Sequence, residues 1–159
     1  MKWNTLAEED CSLARSLAVI GDRWTLLVLR DAFLRVRRFD DFHARLGIAR
    51  RVLSERLATL VDHGVLEKVA YQERPVRYEY RLTEKGLQLH PVILSLVHWG
   101  DRFYAGQAGP PVYHRHKICG QLFHGVMTCS ECGEAVAPRD VQIEGRTSQA
   151  VAPDKAQTA

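Results

Sequence analysis

The sequence predicts an α+β chain, mainly α, on three observations. Two short segments with the apolar spacing of helices stand either side of Leu46-Gly47-Ile48. Two alternating segments, 65–71 and 76–82, follow directly and are joined by the tip Gln72-Glu73-Arg74-Pro75. A long apolar segment, 87–104, then precedes a tail in which cysteines and histidines recur. Helix, turn, helix and a two-stranded wing is the order of a winged helix-turn-helix. The expected architecture is such a domain over 8–104 with a long dimerisation helix, a small zinc-ribbon-like hairpin over 112–143, and a disordered tail over 144–159.

Each element has a local reason. Residues 11–20 read as a first helix and 22–34 as a second, with Asp22 as its cap and Trp24, Leu27, Val28 and Leu29 mostly in the core. In 39–46, Phe39, Phe42 and Leu46 share one face and make a short supporting helix. The next helix carries Leu53, Leu57, Leu60 and Val61 on one stripe, with Arg51, Glu55, Thr59 and Asp62 opposite and Ser54 and Arg56 on the flanks. Gly64 ends it, because glycine tolerates a left-handed backbone. In the second strand Tyr78, Tyr80 and Leu82 fall on one side, and Pro75, which has no N–H to donate, suits the turn before it. Thr83 caps a further helix. Leu89, Val92, Ile93, Leu96, Val97, Trp99 and Phe103 then form an apolar run interrupted by Pro91. That run is more than one flank of a small domain hides, so the expected cover is the same helix of a second copy. Residues 106–111 read as a linker, and no internal repeat is visible.

Composition narrows the function. The chain has 159 residues, 46% of them hydrophobic and 26% charged, enough for one cored domain and a small appendage. No apolar stretch reaches the ~18 residues that span a bilayer, and the N-terminus lacks a signal-peptide core, so the expected compartment is the cytoplasm. Residues 30–51 hold seven arginines against three aspartates, while the whole chain carries only +3. A local basic patch on a near-neutral protein is the electrostatic footprint of a DNA binder. The expected contacts are Arg38, Arg50, Arg51, Ser54, Glu55, Arg56, Arg74 and Arg77. Arg51 is the expected base reader, since its planar fork donates two bonds to guanine, and Arg74 and Arg77 on the wing suit phosphates. A winged-helix module that binds protein, with a structural zinc site, is the alternative. It has no need of arginines on helix and wing together.

The cysteines point to metal. Three of the four lie within 119–132 beside histidines, a spacing that suits a metal better than a secreted disulfide framework. His116-Lys-Ile-Cys119-Gly120 and Cys129-Ser-Glu-Cys132-Gly133 are two ligand pairs, each followed by glycine, with nine residues between Cys119 and Cys129. The expected zinc ligands are His116, Cys119, Cys129 and Cys132, with His114 or His124 as substitutes for His116. Four filled positions make such a site structural. An enzyme is not expected, because the deaminase-type His-x-Glu with Pro-Cys-x-x-Cys is absent and no acid in the pattern serves as a base. Cys11 stands apart at the start of the first helix, with Arg15 one turn on, a placement that favours thiol reactivity. The alternative for Cys11 is a small buried hydrophobe packed on Leu13, Leu17 and the neighbouring subunit.

Taken in order, several pieces form a pattern: Cys11, Gly21-Asp22-Arg23-Trp24, Arg38-Phe39-Asp40-Asp41-Phe42, Leu46-Gly47-Ile48-Ala49, Leu53-Ser54-Glu55-Arg56-Leu57, Gly64, Pro75-Val76-Arg77-Tyr78-Glu79-Tyr80, Leu82-Thr83-Glu84-Lys85-Gly86 and Trp99-Gly100. The ordered set resembles the HxlR-type bacterial transcription regulators, relatives of the MarR type, over about 8–104. The resemblance implies a homodimeric repressor or activator that binds double-stranded DNA at a palindromic operator. It also implies that a cysteine at the place of Cys11 senses oxidants or electrophiles. Another expected input is a small apolar effector between the dimer helix and the winged domain, with Trp24 and Trp99 as walls. Two positions depart from the pattern: Ala49 stands where Ser or Thr caps the recognition helix, and Asp22 where a second glycine is usual.

Overall fold

The computed structural model describes residues 3–145. A 3₁₀ turn over Trp3–Glu8 leads into α1 (Ser12–Ile20), α2 (Arg23–Phe33), α3 (Phe39–Leu46) and α4 (Arg50–Asp62). The hairpin β1 (Leu66–Glu73) and β2 (Val76–Leu82) follows, then α5 (Glu84–Leu87) and α6 (His90–Tyr104). The chain divides into two compact units, one ending at His124 and one starting at Gly125. The tail expected to be disordered lies, from 146 on, outside the described residues.

The core grows from the apolar stripes. Val28 and Leu29 of α2, Phe42 of α3 and Leu53, Leu57 and Leu60 of α4 are fully buried in one cluster, which Val65, Leu66 and Ile93 extend. Each such aliphatic side chain contributes about 1.5–3 kcal/mol when taken out of water. Asp22 caps α2 as expected, its carboxylate accepting from the N–H groups of Trp24 at 2.9 Å and Thr25 at 3.3 Å. Thr83 caps α5 by accepting from the Gly86 N–H. Gly64, at φ +65°, closes α4 in the left-handed region.

One polar cluster lies inside this core. Asp31 is fully buried, and its carboxylate accepts from Arg30 Nε at 3.0 Å and from Arg45 Nε at 3.2 Å. Arg45 belongs to α3, so the carboxylate clamps α2 to α3. The Asp31 carbonyl also accepts the Val36 N–H at 3.0 Å, which turns the chain out of α2.

Three expectations change. The apolar segment after Thr83 is two helices, because Pro91 sits in the first turn of a new helix, where its missing N–H costs nothing, and the chain breaks just before it. Within β2, Tyr80 and Leu82 are half-buried against the core while Tyr78 on the same side is exposed. The residue that is buried between them is Glu79, which accepts from Arg81 Nε at 2.6 Å, with Arg37 at 4.0 Å. Beside β2, the Tyr80 N–H donates to the Arg37 carbonyl at 2.7 Å and Arg38 forms an isolated antiparallel bridge with Glu79. No sequence alternation marks that pairing, and it packs Tyr80 deeply enough that burial raises its phenol's pKa. The third change concerns the tail, where a repeat is present, as described below.

The clamp makes a prediction. Asp31→Ala should lower unfolding stability by about 2 kcal/mol, reduced from the value of a fully buried pair because both arginines are half exposed to water. Urea unfolding of this variant beside Asp62→Ala, at an exposed position of α4, tests it. Equal midpoints for the two variants would show that Asp31 holds nothing together.

Candidate DNA interface and C-terminal knuckles

Helices α3 and α4 are joined by Gly47-Ile48-Ala49, with Ile48 buried as the pin and Gly47 at φ +62° turning the chain. Packing of Leu53, Leu57 and Leu60 inward turns Arg51, Ser54 and Glu55 outward, so the first two turns of α4 present cationic, hydroxyl and acidic groups to solvent. Arg51, whose side chain is 90% exposed, donates from Nε to Glu55 Oε1 at 2.9 Å. Arg50 pairs with Asp40 at 3.0 Å and lies 4.7 Å from the Phe39 ring centroid. Arg56 is half-buried, and its Nε has no hydrogen-bond partner. Ala49 precedes α4 without any side-chain cap, as the sequence implies.

Side-chain pairing redistributes the charge expected from counting arginines. Arg30 and Arg45 are committed to Asp31, Arg50 to Asp40, Arg51 to Glu55, and Arg37 faces Glu79. Arg35, Arg38, Arg74 and Arg77 are exposed and have no acidic partner among the described residues. Arg38 stacks 4.6 Å above Tyr71 of β1, which ties it to the wing. At the wing itself, Gln72 Nε2 donates to the Arg74 carbonyl at 3.0 Å, and Lys68 lies 4.3 Å from the Tyr78 ring. The uncompensated cations therefore gather on and beside the wing rather than along α4. Lys68, Tyr71 and Tyr78 were missed from the sequence because strand alternation marks a face without saying whether it is covered.

Cys11 is exposed at the N-cap of α1 in the single chain. Arg15 does not reach it. Its guanidinium donates to the Glu9 carbonyl at 2.8 Å and to Asp10 at 2.9 Å. Of the two tryptophans expected as walls of an effector cleft, Trp24 packs on the core, and Trp99 is exposed and rests against Phe103 and Tyr104. An apolar cleft of about 370 Å³ between α2 and α6 is lined by Leu26, Leu27, Ile93, Leu96 and Val97, with Arg23 and Arg30 also lining it.

In the tail, His116 N–H donates to the Gln121 carbonyl at 2.9 Å, Gly120 N–H to the His116 carbonyl at 2.8 Å, and Phe123 N–H to the His114 carbonyl at 3.0 Å. The same three bonds recur later, from Cys129 to Glu134, Gly133 to Cys129 and Val136 to Met127, each at 2.9 Å. Bridges Arg115 to Leu122 and Thr128 to Ala135 flank the two turns, and Gly120 (φ +68°) and Gly133 (φ +75°) end them. This is a structural repeat offset by 13 residues, 129 − 116, and it corrects the reading of no repeat. Backbone N–H groups of Cys132 and Glu131, with the Cys132 thiol, hold the Cys129 thiol below its usual pKa. Of the three candidate histidines, His116 approaches Cys119, with Nδ1 3.4 Å from Sγ, while His114 packs edge-on against His98. Among the described residues no three His, Cys, Asp or Glu side chains are gathered around a point that would hold a metal.

The model of the HxlR-like helix-turn-helix family matches residues 19–108. The chain belongs to the HxlR-like helix-turn-helix family. Among curated relatives of this HxlR-like protein, an HTH-type transcriptional regulator of Mycobacterium tuberculosis is 44% identical over 136 residues, 86% of either chain. The HTH-type regulator YdeP of Bacillus subtilis is 33% identical over 96 residues, 60% of this chain and 75% of its own. Among solved structures, PA1607, described as a candidate transcription factor, superposes with a TM-score of 0.79 at 33% identity, covering 88% of this chain and 98% of its own. The redox regulator HypR in its reduced form superposes with a TM-score of 0.54 at 29% identity, covering 58% and 92%.

This HxlR-like protein is a transcription regulator with a helix-turn-helix DNA-binding domain. None of its described helices is long and apolar enough to cross a membrane. The uncapped start of α4 sets a test. Ala49→Ser, by accepting an N–H of the first turn, should stabilise the protein by about 0.5–1 kcal/mol. Thermal unfolding by circular dichroism measures it; an unchanged or lowered midpoint would mean that the first turn is already satisfied.

Proposed function

We infer that this HxlR-like protein acts as a homodimer that binds a palindromic operator sequence-specifically. The observation that carries the inference is the apolar stripe of α6 in a chain whose helix-turn-helix faces solvent. Val92, Leu96, Trp99 and Phe103 recur at i, i+4, i+7 and i+11 and are each 45% exposed or more, and Leu13 of α1 is 67% exposed. A stripe of that width without cover favours pairing with a second copy. Two α4 helices related by a two-fold axis would then meet successive major grooves, with half-sites about 10 base pairs apart or a multiple of that.

Within this reading Arg51 reads a base and Ser54 serves a base or a phosphate, while Arg38, Arg74 and Arg77 hold the backbone. Arg50 and Glu55 shape the surface through the pairs described above, and Arg56 does so through its guanidinium 3.8 Å from the Glu55 carboxylate. Affinity selection of genomic fragments by the purified protein, with binding measured across salt concentrations, tests the assignment. Arg51→Ala should cost about 1–3 kcal/mol and relax preference at one operator position, whereas Arg74→Ala should weaken all sequences alike and reduce the salt slope by about one. If no fragment is enriched at low salt, the winged domain binds protein instead. Leu96→Glu should shift the protein to monomer in sedimentation; a variant that stays dimeric places the interface elsewhere.

Regulation by thiol chemistry is the second part of the inference. Its supports are the exposure of Cys11 and the likeness to HypR, a redox regulator. An adduct or intersubunit disulfide on α1, beside exposed Leu13 and Leu17, would alter the spacing of the two recognition helices. Treatment with diamide should lower operator affinity of the unaltered protein and leave Cys11→Ser unaffected. An equal response from both proteins would exclude Cys11 and favour a small effector in the cleft between α2 and α6.

A further inference from the structure

At the base of the wing, at the opposite end of the hairpin from its tip, lies a pocket of about 410 Å³ that none of the proposed DNA contacts lines. Phe33 of α2, Leu82 of β2 and Leu87 of α5 give it an apolar side. Three arginines converge on it, Arg35 and Arg37 from the chain after α2 and Arg81 from β2.

The charges around this pocket do not balance. Buried Glu79 accepts from Arg81 Nε at 2.6 Å and faces Arg37 at 4.0 Å, so one carboxylate serves two guanidinium groups. Glu67, directly across the hairpin from Arg81, is the one acid in the lining. Three arginines therefore meet two glutamates, and Arg35 is the cation left over, exposed and with no acidic partner among the described residues. Its backbone sets it apart as well. Arg35 follows the C-cap of α2 at φ +64°, and among the described residues no other non-glycine has a positive φ. Glycine takes that left-handed conformation without strain. Arginine there gives up backbone ease for a guanidinium, and strained positions of this kind gather at ligand sites.

We propose that this pocket binds a small organic acid, a single carboxylate on an apolar body, with Arg35 as the residue that holds the carboxylate. One surplus positive charge matches a monoanion, and a planar guanidinium receives a carboxylate through two parallel N–H···O bonds. Tyr80, which also lines the pocket, adds no negative charge, since burial keeps its phenol protonated. Phe33, Leu82 and Leu87 take the body of the acid out of water, which favours it over a bare anion of the same charge.

Benzoate, hexanoate and inorganic phosphate, titrated into the full-length protein and followed in amide NMR spectra, test the assignment without any DNA. Benzoate or hexanoate should saturate at about one molecule per chain and shift the amides of Phe33, Arg35 and Leu82. Arg35→Gly should weaken that binding at least about tenfold, because it removes the guanidinium. The same variant should keep or raise the thermal midpoint, because it relieves the left-handed backbone. Loss of binding in it is thereby separated from loss of fold. Arg139→Ala, at an exposed arginine of the tail, should bind as the unaltered protein does. No saturable binding of either acid, an unchanged affinity in Arg35→Gly, or phosphate bound more tightly than both acids would overturn the proposal.

Discussion

The Asp31 carboxylate is the constraint on which the geometry of the DNA-binding module turns. A buried charge is tolerated only when paired, and Asp31 is satisfied from two directions, by Arg30 of its own helix and by Arg45 of α3. Because hydrogen bonds to a carboxylate are directional, they fix where α3 crosses α2, which burial of Phe42 alone would leave free to slide. Helix α4 inherits its position from α3 through Ile48 and the stripe of leucines. The face that α4 offers to solvent thus depends on a polar contact between α2 and α3.

Much of this was legible in the sequence. Leucine spacing placed α4, Asp22 and Thr83 announced their helices as caps, and Gly64 marked a helix end, because each of these signals acts over a few residues. What was not legible depends on pairs distant along the chain. Asp31 and Arg45 are fourteen residues apart, and nothing in their spacing says that they meet. The pairing of Arg37 and Arg38 with β2 and the burial of Glu79 are equally long-range. Counting charges along 30–51 registered the arginines without registering which of them their own fold neutralises. The tail shows the opposite case: two turns of the same backbone design share only a His/Cys–x–x–Cys–Gly skeleton, too little side-chain likeness to mark a repeat.

The two regions answer to different physical rules. In the winged module, shape follows from burying apolar stripes, and the polar groups adjust to them. In the tail, backbone hydrogen bonds within short turns set the shape, and apolar side chains such as Ile118 point to solvent. The first kind of order grows with the amount of surface hidden; the second is set turn by turn and gains little from neighbours.

The ion pair between Arg51 and Glu55 has a consequence for selectivity between correct and incorrect DNA. An exposed pair one helical turn apart is worth only about 0.3–0.5 kcal/mol, less than a bidentate contact to a matched base. If Arg51 reads a base, as proposed, it can leave Glu55 at little cost at a matched site. At a mismatched one it would gain less by leaving. On that proposal the carboxylate would act as a weak competitor for the arginine, a toll that falls more heavily on random sequence than on the operator.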